Sequence, residues 1–460
     1  MNNEFLAKEP VGKLLFKLSI PTVVAQLINM LYNLVDRIFI GHMPVDGDLA
    51  LTGVGVCLPL IMLVSAFAAL VSAGGAPRSS IFMGKKDNDT AEKIMGNCFF
   101  LQIIISVILT IILLIFNREL LLLFGASENT IEYAVEYMNT YAIGTIFVQL
   151  TLGMNTYITS QGFSKIAMLT VLIGAVCNIA LDPIFIYAFN MGVSGAALAT
   201  IVSQAISCSF VILFLFDKKS ILKLKPSNFK LESKIILPCM ALGLAPFIMQ
   251  MSECIIIVSF NSSLLEYGGD IAVGAMTILS SVMQFAMLPL QGLAQGAQPI
   301  SSYNYGAKNA DRVVKTFKLL LSICMIYSTA LYIVVMTCPQ AFVSMFTDKQ
   351  ELIGFTAKAM RRYFAVLFVF GAQIACQMTF VSTGNAKSSI MVACARKFVL
   401  LLPLIYIMPA IMEDNTMAVY TAEPVADFLA VTFTVVLFTF QFKKSIKGLK
   451  ENSYENNIRN

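Results

Sequence analysis

Twelve stretches of this sequence are apolar for eighteen residues or more, and that pattern leaves a chain few ways to fold. They fall at roughly 14–40, 49–73, 95–116, 133–158, 166–189 and 195–216, then at 235–260, 271–294, 316–338, 359–381, 389–411 and 424–441. At 1.5 Å per residue, about 20 helical residues cross a hydrocarbon core of about 30 Å. Inside hydrocarbon the backbone must satisfy its own hydrogen bonds, which segments of this length do as helices. Only 13% of the residues are charged and 57% are hydrophobic, whereas soluble domains carry about 25% charge. The sequence therefore reads as an all-α polytopic membrane protein with twelve transmembrane helices. The fourth and tenth stretches are interrupted by polar residues.

The basic residues set a topology. With the N-terminus inside, 26 of the 32 lysines and arginines fall on inner ends or loops. Among them are Lys85, Lys86 and Lys93, six lysines between Lys218 and Lys234, Lys308, Arg312, Lys387, Arg396, Lys397 and Arg459. Outer positions receive Arg118, Lys349, Lys358, Arg361 and Arg362, and Arg37 lies within the first span. The excess predicts cytoplasmic N- and C-termini in a multi-pass protein of the plasma membrane. The start, MNNEFLAKEPVGK, has no cleavable signal, so the first span is expected to direct insertion. The expected units are a first lobe over 1–216, a cytoplasmic linker over 217–234, a second lobe over 235–441 and a cytoplasmic tail over 442–460.

The halves repeat each other. Residues 73–86, AGGAPRSSIFMGKK, return at 295–308 as QGAQPISSYNYGAK. At one offset Gly74 matches Gly296, Pro77 matches Pro299, Gly84 matches Gly306 and Lys86 matches Lys308. Gly162 with Gly384 and Lys165 with Lys387 keep the same offset. Six spans separate the copies, so both have the same orientation, which predicts two pseudo-symmetric six-helix lobes forming a parallel repeat. These motifs read as Gly/Ser loops. A V-shaped central cavity between the lobes is the usual use of such a repeat.

Within the apolar stretches, ionisable residues are few. Asn178 and Asp182 stand four apart and share one helix face, directly before Pro183. A mid-membrane carboxylate costs about 2.5–3.5 kcal/mol on insertion scales, so an idle one is costly to retain. Pro183 has no N–H for the carbonyl of Ile179. Asp36 in the first span and Thr200 early in the sixth fall in the same outer half as Asp182. Together these residues offer hard oxygen ligands suited to Na⁺, or a proton-binding pair. A buried acid hydrogen-bonded to neighbouring helices is the competing reading of Asp182, and Asp36 competes as a solvated residue beside Arg37.

In the second half Glu253 is the acid set well inside an apolar run, with Gln250 and Gln284 as candidate partners. It reads either as a counter-ion for a cationic drug, or second proton site, or as a structural hydrogen bond. Glu423 and Asp427 fall near the outer end of the last span, within reach of interface water. Tyr32 and Asn33 are further cavity candidates. The 25 methionines and 34 phenylalanines suggest a soft, apolar cavity. Enzyme readings fare poorly: His42 is the one histidine, which excludes HExxH zinc sites and His-based triads, and no Walker A sequence is present. No metal other than Na⁺ at Asp36, Asn178, Asp182 and Thr200 is suggested, and no cofactor. The ten cysteines lack disulfide or metal spacing.

Asn178-x-x-x-Asp182-Pro183, followed by GVSGAALAT at 192–200, resembles the span five–six signature of the multidrug and toxic compound extrusion (MATE) family. Pro21, Asp36, the Gly-Ala-Pro and Gly-Ala-Gln-Pro motifs and Glu253 are similar to that family as well, and the resemblance covers essentially the whole chain. It looks closest to the MepA-like exporters of the DinF-related branch. The resemblance implies a twelve-helix, two-lobed antiporter that exchanges H⁺ or Na⁺ entry for export of organic cations. It assigns cation-site roles to Asp36, Asn178, Asp182 and Thr200 and a span-seven acid role to Glu253. In the NorM-type branch span ten carries an acid, whereas residues 371–377 here read GAQIACQ. That leaves the second-lobe site incomplete and points to the first lobe for ion coupling. The expected partners are organic cations and the lipid bilayer, with no nucleic acid, and nothing demands more than a monomer. A flippase for lipids or lipid-linked glycans on a similar scaffold is the alternative, and it would want a more basic cavity.

Overall fold

A computed structural model describes residues 4–43 and 47–459, with side chains to residue 451. Its described residues are almost entirely helical. Nine helices are long and apolar enough to cross a membrane, and the pair Gln350–Tyr363 and Leu367–Ser382, bent by 46°, adds a tenth. The helix Ser233–Gly306 is two passes joined at Gly269, whose φ of 62° and ψ of −162° are not helical. The stretch expected over 133–158 is met by Ile131–Ile143 and Thr145–Ser160, divided at Gly144. Both polar-interrupted stretches are thus the broken ones. Numbering follows the sequence: span one is Val11–Gly41, two Gly47–Gly84, three Asn88–Ile115, five Ser164–Pro183 and six Gly192–Phe216. Spans seven and eight are the arms of Ser233–Gly306, and span nine is Ala310–Thr337. Span eleven runs from Ala386 to Ile411, and span twelve is Asn415–Arg459.

The repeat is visible in the backbone. Lys86 and Lys308 both adopt positive φ, at 63° and 58°, as do Gly162 and Gly384. Asp87 and Asn309 then cap spans three and nine, accepting from the backbone N–H of Thr90 and Arg312. Hydrogen bonds from Thr90, its side chain first and then its backbone N–H, hold the Asp87 carboxyl below its ordinary range. The ends where these caps lie carry Lys85, Lys86, Lys93, Lys308 and Lys315, and are called the basic end below.

The repeated Gly/Ser motifs are not loops. Residues 73–84 and 295–306 form the last turns of spans two and eight, and most of them are buried. They are helical because the two lobes meet there: a Cβ on Gly74 would collide with the carbonyl of Cys239, and one on Gly306 with the carbonyl of Ile81. Small residues let backbones approach closely, as between membrane helices generally. Thr22 donates to the carbonyl of Gly292 at 2.6 Å, and Gln26 to Gln295 at 3.2 Å. The short helix Glu4–Lys8 adds a latch, its Leu6 carbonyl accepting from Asn304 and Arg312, each at 3.0 Å. Every inter-lobe hydrogen bond among the described residues lies in the half nearer the basic end.

Arg396 and Lys397 are displaced from their expected position at a membrane end. They lie ten residues inside span eleven, in the π-helical turn Ala395–Leu401, and both are buried. Acids on spans seven and twelve hold them there. The Arg459 side chain lies outside the described residues.

The segment joining the lobes is fastened to the first of them. Gln161 Oε1 accepts from Ser220 Oγ at 3.0 Å and from the backbone N–H of Ile221 and Leu222 at 2.8 and 2.9 Å. Glu92 accepts the Lys223 N–H and pairs with Lys225, and Leu222 and Leu224 are buried. Gln161→Leu would strand two backbone donors, the N–H groups of Ile221 and Leu222, each costing about 1–3 kcal/mol when buried and unpaired, whereas Ser220 Oγ keeps the Leu222 carbonyl at 2.7 Å. Trypsin cleavage between Lys218 and Lys230 is expected to accelerate at least ~10-fold, the change that ~1.4 kcal/mol of easier opening produces. An unchanged cleavage rate would show that the segment is held elsewhere.

Candidate functional site

The lobes flank a cavity of about 530 Å³. Gln26 and Gln295 meet across it at 3.2 Å, and the rings of Phe67 and Phe247 pack edge-on between the lobes, with centroids 5.1 Å apart. The wall belongs to both lobes, from Asn29 and Tyr32 on span one to Gln250, Gln291 and Gln377 in the second lobe. Seven glutamines line it, and no charged side chain does. The expected Met- and Phe-rich lining is not found: three methionines and no phenylalanine face the space. The phenylalanine rings pack elsewhere, as Phe67 does against Phe247 across the two lobes.

Behind the first-lobe wall is a polar cluster on spans one, five and six. Asn178 Nδ2 donates to Asp182 Oδ1 at 3.2 Å, the bond that their spacing of four allows. Asp182 is fully buried, Asn178 nearly so, and Asp36 is 8% exposed. Asp36 lies within electrostatic reach of Asp182, Tyr32 and Tyr137. Span one is tied to the end of span five where Tyr187, in the π turn Ile184–Ala188 after Pro183, donates to the Phe39 carbonyl at 2.7 Å. Thr200 begins the span-six contribution, and Ser203 and Gln204 follow it on the same face.

Five oxygens in this cluster are buried without a hydrogen-bond partner: Asp36 Oδ1, Asn178 Oδ1, Asp182 Oδ2, Ser203 Oγ and Gln204 Oε1. Buried polar atoms are ordinarily paired. Oxygens from three spans with two carboxylates among them suit a proton or a hard monovalent cation. Asn178, Thr200, Ser203 and Gln204 also line the cavity, so the cluster and the cavity share a wall.

The structure brings Asp36, Asn178, Asp182, Thr200 and Tyr32 together, and Gln250 stands on the opposite wall. Asn33 is exposed, donates to the Asn29 carbonyl and is not part of the wall, and neither is the exposed Gln284. Tyr137, Ser203 and Gln204 were not expected. The latter two stand three and four residues after Thr200, a spacing that would have revealed them. Tyr137 comes from the broken span four, whose apolar stretch is interrupted by polar residues.

Glu253 is not bonded to Gln250 or Gln284. It accepts from Lys397 Nζ at 2.6 Å. Nor is it the one acid set deep in that lobe: Glu423 and Asp427 are each 4% exposed, away from interface water. Arg396 holds both, with Nε 2.7 Å from Asp427 Oδ1 and Nη2 3.4 Å from Glu423 Oε1. Its guanidinium also lies over the Phe370 ring, 4.6 Å from the centroid.

Comparison with known proteins places this geometry in context. The family model described as MatE matches residues 21–184 and again 243–407, one match in each half. The multidrug export protein MepA of Staphylococcus haemolyticus is 24% identical over 430 residues, covering 93% of this chain and 94% of that protein. Its namesake from Staphylococcus aureus strain N315 is 23% identical over 408 residues, covering 88% and 89%. Among solved structures, a MATE transporter in a bent conformation aligns with a TM-score of 0.91 at 23% identity, covering 98% of this chain and 99% of that one. An outward-facing multidrug resistance MATE transporter of the MOP superfamily gives 0.89 at 23%, covering 96% and 98%. A MOP superfamily transporter from Pyrococcus furiosus, described as having a binding pocket of reverse polarity that suggests a different function, gives 0.88 at 24%, covering 98% and 99%. At these identities the structural likenesses establish the fold.

Proposed function

The chain belongs to the MatE family, whose members are transporters and not enzymes, and on that premise we propose that it is a secondary active multidrug efflux transporter. It exchanges H⁺ or Na⁺ for organic cations by alternating access, as a single chain in the plasma membrane. The observation that carries this reading is the set of five unpartnered oxygens behind the cavity wall. Na⁺ entering that set would find oxygen ligands there, and a proton would turn one carboxylate into a donor for a neighbouring oxygen; either would cancel part of the charge of Asp36 and Asp182 and weaken the hold of the cavity on a cation. Empty, the two acids would favour a cationic guest through the wall. Reciprocal linkage requires only that ion and drug each weaken binding of the other.

With both termini cytoplasmic, an orientation supported by the lysines of the basic end, the closed seam faces the cytoplasm and the cavity faces outward. The alternate state would part the glycine-packed turns of spans two and eight and the Leu6 latch. The flippase reading is disfavoured by the cavity wall, which presents no lysine, arginine or histidine to a phosphate head group.

The test is ethidium efflux from liposomes containing the purified protein, with pH and Na⁺ gradients imposed separately. Efflux driven by one gradient is expected, and the driving gradient names the coupling ion. No stimulation by either would sink the antiport reading.

A further inference from the structure

The second lobe holds its charges on spans seven, eleven and twelve, the counterparts by the repeat of spans one, five and six. Where the first lobe gathers carboxylates with no buried cation, only the exposed Arg37 lying within electrostatic reach of Asp36, the second contains two buried cations. At the offset that matches Gly74 to Gly296, Arg396 and Lys397 fall on Gly174 and Ala175, small residues that line the cavity. The two cations use their surroundings differently. Arg396 is enclosed by Asp427, Glu423 and the Phe370 ring, a closed arrangement. Lys397 is 4% exposed along its side chain, and its ion-pair partner Glu253 is 43% exposed. Glu253 stands one turn beyond Met249 and Gln250 of the cavity wall, on the side away from the basic end. The more open of the two groups, the Glu253 carboxylate, is therefore held by an ammonium that is itself enclosed.

We infer that Lys397 is a resident cation: its ammonium takes, at Glu253, the place that a free monovalent cation, inorganic or organic, would otherwise occupy. The second lobe is thereby closed to cation exchange, and the first-lobe cluster alone is left open to it. A free cation that captured Glu253 would strand the Lys397 ammonium in a site with 4% exposure, and that penalty keeps competitors out. The wide π turn serves the arrangement by placing two successive residues, Arg396 and Lys397, toward acids on different spans. The inference rests on the transport reading only in naming the competitor.

The test is thermal unfolding of the full-length purified protein in detergent, titrated with n-propylammonium chloride or NaCl at constant ionic strength. Lys397→Ala, which leaves room for a small ammonium beside Glu253, is expected to gain a saturable rise in Tm of at least ~2 °C. Wild type is expected to show no such rise from this lobe, and neither is the double variant Lys397→Ala with Glu253→Gln. If Lys397→Ala folds only when the amine is present, that rescue is the same result in stronger form. A Lys397→Ala protein that responds to neither cation, folded or not, overturns the inference. So does an equal response in the double variant. Neither drug nor gradient enters this measurement, so a failure of ethidium efflux leaves its answer intact.

Discussion

Asp182→Asn is expected to abolish ion-driven efflux while leaving the protein folded. The substitution keeps the volume of a fully buried side chain and keeps an oxygen for the Asn178 amide, which now donates to it at 3.2 Å. It removes the negative charge and the capacity to take up a proton. Coupling energies between linked sites are commonly about 1–3 kcal/mol, a factor of about 5–150 in affinity. That factor is what an imposed gradient would lose. In liposomes, ethidium efflux by the variant should be the same with and without the gradient that drives wild type. Asp36→Asn should act similarly, since the two acids lie within electrostatic reach and belong to one set of unpartnered oxygens. Gradient-driven efflux that survives in Asp182→Asn would move ion coupling out of the first lobe, and the mechanism proposed above would fall.

The largest effect on stability is expected at Arg396. Its side chain is 7% exposed and is shared between Asp427 and Glu423, which are about as deeply buried. Replacing it with methionine would leave two carboxyls on one face of span twelve, four residues apart, with no ion-pair partner and only the more distant Lys397 charge, already paired with Glu253. Breaking a buried ion pair from one side costs about 3–5 kcal/mol, because the remaining charge cannot return to water. Replacing all partners by neutral groups of similar shape is often close to neutral. Arg396→Met should therefore lower the unfolding midpoint strongly, and adding Glu423→Gln and Asp427→Asn should restore most of the loss. A single variant as stable as wild type would mean that the pairing is incidental. Failure of the triple variant to recover would mean that packing over Phe370, rather than charge, is what Arg396 supplies.

Much of the first-lobe site was legible because it obeys local rules. Asn178 and Asp182 announce themselves by helical spacing inside an apolar run, and their bond follows from that spacing. Asp36 and Thr200 followed from depth alone, since topology placed them in the same half. Tyr137 could not be read this way, because its span is broken at Gly144. The second lobe misled for a related reason. Lys397 and Arg396 looked like the basic margin of an apolar run, since hydropathy registers that a charge interrupts lipid-like sequence but not that another span neutralises it. Their partners lie 144 and 31 residues away in sequence, which is tertiary information. The glycine motifs were misread on the same principle: Gly74 and Gly306 suggest loops by composition, yet they are helical because a neighbouring backbone occupies the place of a Cβ.

The glutamine wall has a consequence for selectivity. A primary amide carries an oxygen at one corner and an NH₂ at the other, and half a turn about its last bond exchanges them. Of the seven such groups around this space, Gln26 is bonded to Gln295 and Gln377 to Ser389, and those with no bond inside the protein can reorganise about guests of different outline, much as a polar solvent shell does. A surface of that kind imposes no fixed template. Preference for positive guests would then come from the field of the two aspartates beyond the wall, which reaches every guest regardless of shape. Shape tolerance and charge preference are thus separated in space, so one can drift through evolution while the other is kept.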